Sequence, residues 1–430
     1  MGISAIFKKF ITGTSSEQKE MPRSKTFCMA PWIQLHAQTH GEVTPCCVSQ
    51  YKGAPVFDLR KNPRLEEAWN STEMKALRKR MLRGEKSKIC EDCYEHETLG
   101  KYSDRLQYNR DYKEYSGRVD STLPDGTVTE QSIPLLDIRF SNVCNYKCRI
   151  CNSSNSSLLH TEDLKLGKIS PAQPKIMKAA NDESAFWDSF QRLLPDVKKL
   201  HFAGGEPFFI EEHYKTLEQF ISNGRTDVVL SYNTNFSTLE FKGYNLVAMW
   251  RNFRRVEIWA SLDDMGARGD YQRKGQQWEK VEENIRKLQQ YCPHVLFGID
   301  ITVSIFNILY IPKYYRYLVE SGLVNAGRVN LYFLRAPEYL CVTNLTPQLK
   351  RQAAESYNGF ISECLDKAEE RKKIKEQAAA LIRFMQSAQT EKQREFAKRI
   401  SEADELRNEK FSDIFPELSA MMELSQQARA

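Results

Sequence analysis

Between residues 133 and 335 the chain alternates two hydrophobic patterns. Short, nearly continuous apolar runs appear at PLLDIRF (134–140), VKKLHFA (197–203), DVVLSY (227–232), RVEIWASL (255–262), HVLFGIDITVS (294–304) and RVNLYFL (328–334). Each has the length and the β-branched or aromatic content of a buried strand. Between them lie stretches such as EEHYKTLEQFISNG and QQWEKVEENIRKLQQY, whose apolar residues recur at helical spacing. Six strands alternating with helices predict a parallel sheet joined by right-handed crossovers. A closed eight-unit barrel takes about 250 residues, so six units need roughly 190. The predicted fold is therefore α/β, an open, partial (β/α)6 TIM-like barrel over residues 133–340.

The flanks read differently. Residues 1–24 are polar and read as a mobile arm, 25–100 as a small cysteine-bearing module, and 101–132 as a connector with a turn at Leu123-Pro-Asp-Gly126. Within the module, Asn70-Ser-Thr-Glu73 has the form of a capping box, and Met74, Leu77 and Met81 follow at helical spacing. Arg78-Lys79-Arg80 reads as a solvated helix face, with phosphate contact the lesser alternative. Residues 341–430 are rich in Lys, Glu, Gln and Ala, lack strand-like runs and read as a helical region.

Composition narrows the function classes. The 430 residues are 41% hydrophobic and 27% charged, enough apolar mass for a sizeable core and too much for wholesale disorder. The 62 Lys and Arg against 56 Asp and Glu leave a charge of +6 with no dense basic stripe, which argues against a nucleic-acid partner. No apolar run approaches the roughly 18 to 20 residues needed to span a bilayer, so no membrane association is expected. MGISAIFKKFITGTSSEQKE lacks the long apolar stretch and cleavage site of a signal peptide, and Ile6 stands where N-myristoylation favours Ser or Thr. A soluble, cytoplasmic enzyme is expected.

Eleven cysteines add the chemistry. Cys28, Cys46, Cys47, Cys90, Cys93, Cys144, Cys148 and Cys151 form tight groups, whereas Cys292, Cys341 and Cys364 are scattered. In a chain with no secretory signal, grouped cysteines read as metal or cluster ligands rather than disulfides. Cys144-Asn-Tyr-Lys-Cys148-Arg-Ile-Cys151 is a CxxxCxxC just after the first strand. Three thiolates there can hold three irons of a 4Fe–4S cluster, leaving one iron open to a small chelating molecule. Zinc is the plainer alternative, but a structural zinc site takes four ligands and no fourth Cys or His is adjacent.

That motif resembles the radical S-adenosylmethionine (SAM) superfamily, and later motifs agree in order and position. Ala203-Gly204-Gly205-Glu206-Pro207 is similar to the family's GGEP, whose backbone meets the SAM amino group. Asn233-Thr234-Asn235 resembles TNG, with Phe236 in place of the glycine. Ser261-Leu-Asp263-Asp264 resembles the SxD signature near the SAM ribose, with the glycine delayed to Gly266. Arg273-Lys-Gly275 resembles the stretch that lends an arginine to the SAM carboxylate, and Asn307 matches a recurrent asparagine. Ile150 departs from the aromatic common at that position, so adenine would pack on an aliphatic side chain. The resemblance makes Cys144, Cys148 and Cys151 the catalytic cluster ligands, and Gly204, Gly205, Glu206, Pro207, Asn235, Ser261, Asp263, Arg273 and Ile150 the SAM contacts. The cysteine loop, GGEP, Asn233-Thr234-Asn235 and Ser261-Leu-Asp263-Asp264 all follow or end strands one to four, where parallel β/α barrels build their active sites.

Cys28, Gly41-x4-Cys46 and Cys90-x-x-Cys93 resemble the "twitch" form of the SPASM auxiliary-cluster module, here ahead of the barrel. The resemblance makes Cys28, Cys46, Cys90 and Cys93 ligands of a second 4Fe–4S cluster, the register of Gly41 favouring Cys46 over Cys47. A four-cysteine zinc site has the same spacings and stays open. The isolated cysteines read as buried small residues, His36, His40 and His96 as structural, and Tyr314, Tyr315 and Tyr317 as helix packing.

The implied function is reductive cleavage of SAM to a 5′-deoxyadenosyl radical that takes hydrogen from a peptide, protein or small-molecule substrate. An auxiliary cluster would assist, and a flavodoxin or ferredoxin would donate the electron. A tRNA methylthiotransferase-like enzyme and a non-catalytic metal-stabilised interaction protein are the alternatives. The first normally ends in a small RNA-binding β-barrel, for which the helical C-terminal region offers no match.

Overall fold

All six predicted strands form: β1 (Leu135–Ile138), β2 (Lys199–Phe202), β3 (Val229–Thr234), β4 (Val256–Ser261), β5 (Leu296–Val303) and β6 (Val329–Phe333). They lie side by side in chain order, and every pairing among them is parallel. The order is linear, so the six β/α units make the open, partial barrel anticipated from the spacing. The computed structural model describes residues 24–51, 55–98, 103–363, 371–387 and 392–423. Residues 1–23 of the expected arm, and Cys364, lie outside them.

The two faces of the barrel sheet differ in kind. One row of register partners is Ile138, Phe202, Tyr232, Ile258 and Phe297, and all but Phe297 are buried. The amphipathic helices pack on this face. In Glu211–Ser222 the buried residues His213, Tyr214, Leu217 and Phe220 fall on one side, as a 3.6-residue period requires. The opposite row is polar: Asp137, His201, Ser231 and Glu257 are partners at one level, and Asp300 and Asn330 pair at another. Side chains bridge this concave side. Lys199 pairs with Glu257 at 2.7 Å, and Asp300 accepts from Asn233 (3.0 Å) and Asn330 (2.8 Å). Closed eight-stranded barrels fill their interior with branched apolar residues; this one keeps a hydrogen-bonded cleft.

The described chain divides into two compact units. The larger takes His36–Val43, Asp58–Glu66 and everything from Ser132 onward. Its sheet continues past β1 through residues 36–43, with Arg139 N donating to Ala37 O at 3.1 Å. The predicted C-terminal helices are present as Pro347–Glu363, Lys372–Gln386 and Gln393–Arg407, followed by the short helices Phe411–Ile414 and Ala420–Glu423. Gln377 accepts a hydrogen bond from Leu331 N (3.2 Å) on the outer edge of β6. Among the described residues no helix is long and apolar enough to cross a membrane.

The smaller unit holds the chain up to Leu35, Thr44–Phe57 and Glu67–Gln131. Three sequence expectations change here. The helix Thr72–Leu82 is capped by Ser71, which accepts from Met74 N, so the cap lies one residue later than the expected capping box. Asn70 is diverted to tertiary contacts, accepting from Arg78 Nη1 (2.8 Å) and Val128 N (3.1 Å). Arg78 is fully buried rather than solvated: its Nε donates to Pro31 O (2.9 Å) and its guanidinium lies 4.6 Å from the Trp69 ring centre. The segment expected as a connector folds into helices at Asp104–Asp111 and Ser116–Asp120, while the turn closed by Gly126 N to Leu123 O forms as expected.

Candidate functional site

The cysteine loop leaves β1 and is pinned from below by Asn142, fully buried, whose amide donates to Ser153 O (2.7 Å) and Lys175 O (3.0 Å) and accepts from Met177 N (2.8 Å). Ser156 Oγ donates to Tyr146 O (2.6 Å) and closes the loop on itself. Lys147–Cys148 then pairs antiparallel with Arg273–Lys274, so Cys148 and Arg273 are register partners across a two-stranded ribbon. Arg273 Nη1 lies 3.9 Å from Cys148 Sγ, and its Nε donates to Asp263 Oδ2 (2.8 Å). The ribbon thus joins two motifs well over a hundred residues apart in the sequence.

The electrostatics of the three thiols share one direction. Burial raises the pKa of each, pushing Cys151 up to about 12, and mutual repulsion adds to it: Cys144 feels Cys148 and Cys151, and Cys151 feels Cys148. Arg273 acts the other way on Cys148 and Cys151. Burial also opposes the charge on Arg273, but Asp263 and the thiols outweigh it and raise its pKa. Three thiols that repel one another when ionised, with the buried cation Arg273 among the charges beside them, form a donor set that a metal cluster would neutralise.

Gly204 and Gly205 bring the second strand's loop against the first. Gly205 N donates to Ser141 O (3.1 Å) and Glu206 N to Val143 O (2.8 Å). A Cβ on Gly205 would sit 2.1 Å from Val143 O, inside contact distance, so the glycine is required by the cysteine loop's own backbone. Glu206, 1% exposed, accepts from Thr234 Oγ1 (2.6 Å), Asn235 N (2.7 Å) and Phe208 N (3.2 Å). Burial pushes its carboxyl up to about 7 despite these donors. Pro207 opens the buried turn Pro207–Phe209. Asn235 Nδ2 donates to Asn145 Oδ1 (2.7 Å) on the cysteine loop, linking a third strand end.

Asp263, 2% exposed, takes Arg273 on one oxygen and Thr302 N (2.7 Å) on the other. Its carbonyl accepts from Asn307 Nδ2 (3.1 Å); Asn307 is fully buried and also accepts from Ser304 N, so it braces Asp263 from behind. Ser261, at the end of β4, and Ile150, beside Cys151, are both half-buried. The structure therefore gathers the cysteine loop, Gly204, Gly205, Glu206, Asn235, Asp263 and Arg273 at one rim of the barrel. The carboxylates of Glu206 and Asp263 are already engaged by protein donors.

Sequence reasoning missed several residues at this rim. Arg149 Nη2 contacts Asp404 and Glu409, each at 2.6 Å, and Arg407 pairs with Glu162, which also takes Lys147 at 2.8 Å. No local signal points to partners more than 250 residues away.

In the smaller unit, Cys28 is buried, and its pKa is raised by burial and by Cys46, Cys90 and Cys93. Cys90 and Cys93, raised to about 12 by burial, feel Cys46 as well. It is Cys46 whose charge acts on all three. Helix Asp104–Asp111, also missed, holds Cys28 from both sides: Arg105 and Asn109 donate to Phe27 O (2.7 and 3.0 Å), and Asn109 accepts from Met29 N (2.8 Å). Gly41, which belongs to the larger unit, has φ +88°, a left-handed backbone that favours glycine.

Residues 28–94 match the SPASM iron–sulfur cluster-binding domain family. The SPASM match spans Cys28, Cys46, Cys90 and Cys93 and bears out the expected N-terminal module. No match was found among curated proteins. Solved structures similar to this chain include native anSMEcpe with bound AdoMet and Cp18Cys peptide, at 18% identity over 54% of this chain and 60% of that one (TM-score 0.37). Native anSMEcpe with bound AdoMet is similar at 18% identity over 54% and 61% (TM-score 0.39). The chain spans about three fifths of the length of these structures.

Among the described residues, no three or more His, Cys, Asp or Glu side chains converge as they stand on one metal-ion position. In a 4Fe–4S cluster the thiolates bind different irons, so its ligands surround a body instead of meeting at a point. The isolated Cys292 and Cys341 are buried and donate to carbonyl oxygens, as small core residues do. His36 and Tyr314 and Tyr315 are buried as well, while Tyr317 is half-buried and donates to Glu282. His40 lies 3.2 Å from Glu42.

Proposed function

We propose that this chain is a radical SAM enzyme, with Cys144, Cys148 and Cys151 holding the SAM-binding 4Fe–4S cluster. The observation that carries the reading is the ribbon that sets Arg273 beside Cys148 at the C-terminal rim of a parallel barrel. A cluster on those three thiolates would pass one electron to the sulfonium of SAM and release methionine and a 5′-deoxyadenosyl radical.

The chain's own residues prepare the site. Arg273 is a fixed cation for the SAM carboxylate, and Asp263 and Asn307 stop it from swinging away. Glu206 ties the Thr234–Asn235 strand end to the loop that Gly204 and Gly205 press against the cysteines. The backbone around these residues, with Ile150 and Ser261, would seat the rest of the nucleotide. The polar concave face below supports a substrate that offers hydrogen bonds, such as a peptide, a protein side chain or a small polar molecule. Cys28, Cys46, Cys90 and Cys93 would hold the auxiliary cluster, and four apparent ligands favour electron transfer over substrate binding. A reductase of the flavodoxin or ferredoxin class would supply the electron.

Anaerobic reconstitution with iron and sulfide, followed by SAM and reductant, should yield 5′-deoxyadenosine. Cys148→Ala should abolish it while leaving the smaller unit's iron in place. A Cys148→Ala protein that still cleaves SAM would overturn the reading.

A further inference from the structure

Behind the cysteine loop lies a small cavity lined by Cys148, Arg149, Cys151, Glu162, Tyr339 and Arg407 among others. Three arginines line it, and two of them, Arg149 and Arg407, are buried, whereas Arg399 is half-exposed. Arg149 (3% exposed side chain) spends Nη2 on Asp404 and Glu409 and Nε on Tyr271 O (3.0 Å). Arg407 (4% exposed side chain) spends Nε and Nη2 on Glu162 at 3.0 and 2.7 Å. Each retains a buried Nη1 without a hydrogen-bond partner. A buried, charged N–H group without an acceptor is costly, so two at one cavity call for an explanation. Of the acceptors that line this cavity, Glu162 is taken by Arg407 Nε and Nη2 and by Lys147, and Asp163 by Ser153 N and Lys168, while the sulfurs of Cys148 and Cys151 line it as well.

The chain brings Arg407 here deliberately. It is the last residue of helix Gln393–Arg407, and Asn408 at φ +52° reverses the backbone so that Glu409 returns to Arg149 and Lys274. Tyr271 Oη and Phe411 N both donate to Asp404 (2.6 and 2.7 Å), fixing the helix end on the ribbon side. The positive charge of Arg407 also acts on Cys148, lowering its pKa.

We propose that Arg407 and Arg149 supply N–H donors and positive charge to the sulfurs of the cluster bound at Cys144, Cys148 and Cys151, and so raise its reduction potential. Hydrogen bonds and cations at cluster sulfurs stabilise the more negative, reduced form. The C-terminal helix is then part of the redox site and sets how easily one electron enters it. This inference rests on the cluster reading of residues 144–151, and its test separates the two.

The full chain is reconstituted anaerobically, and the cluster whose electron paramagnetic resonance signal responds to SAM is titrated with a mediator series. Arg407→Met should lower the ratio of reduced to oxidised cluster at a fixed potential by about tenfold, equivalent to 59 mV for one electron. Arg407→Lys, which keeps a charge for Glu162 but not the planar fork that reaches Glu162 and a sulfur at once, should fall between Met and the unmodified chain. Equal potentials in all three proteins would overturn the tuning role while leaving the cluster reading intact. Loss of iron from both variants would assign Arg407 to folding of the loop and also overturn it. Failure of the unmodified chain to form any SAM-responsive cluster would overturn the underlying reading instead.

Discussion

Phe236 adopts φ +56° at the position where the resembling motif carries glycine. A non-glycine residue there costs about 1 kcal/mol or more in backbone strain. The strain is tolerated because the ring is fully buried, 5.1 Å from the Phe297 ring and 6.3 Å from that of Phe208, and its carbonyl accepts from Asn284 (3.1 Å). Removing a buried Phe side chain costs about 3–5 kcal/mol. Phe236→Gly should therefore relieve the backbone and still lose about 2–4 kcal/mol, read as a lower urea midpoint with an unchanged slope. The departure from the motif was legible in the sequence; its compensation was not, because Phe297 lies on another strand. Ser71 shows the same limit: Asn70 and Ser71 are both good caps, and only the tertiary contacts of Asn70 decide between them.

The six strands were legible because each is a compact apolar run, and two register-matched rows follow from their alternation. What the polar row does was not legible, since it depends on which strands face one another across the cleft. Asp300 on β5 takes donors from β3 and β6, and burial pushes its carboxyl up to about 6 even so. The folded form thus keeps a proton that the unfolded chain releases near pH 3.9. Its stabilising contribution is fully present below that value and is lost as pH rises through about 6, so stability falls with pH across the window. Asp300→Asn should flatten this slope by up to about 1.4 kcal/mol per pH unit, whatever its absolute stability. Denaturant titrations at about pH 4, 5 and 6 measure it, and parallel slopes would refute the assignment. Glu206 and Asp264, also raised by burial, keep part of the trend in both proteins. The ribbon and the helix end at Arg407 were equally hidden: their contacts join segments with no shared periodicity.

In the molecule as a whole, the eight clustered cysteines fall into two groups, one in each compact unit. If each group holds a 4Fe–4S cluster, Cys90→Ala and Cys148→Ala should each remove about half of roughly eight irons per chain, and the double variant nearly all of them. Zinc in place of iron in the smaller unit would leave Cys90→Ala with an unchanged iron count. The sequence marked both groups and the barrel order. It also marked the last ninety residues as helical without a reason for their presence. Part of that reason lies at Leu331, whose N–H at the outer edge of β6 is taken by Gln377. A sheet that stops before closing into a ring presents a line of backbone groups able to recruit a strand from another molecule. Gln377 of the helix Lys372–Gln386 takes one group of that line, so the same segment that completes the fold leaves one fewer edge donor for a second copy to pair with.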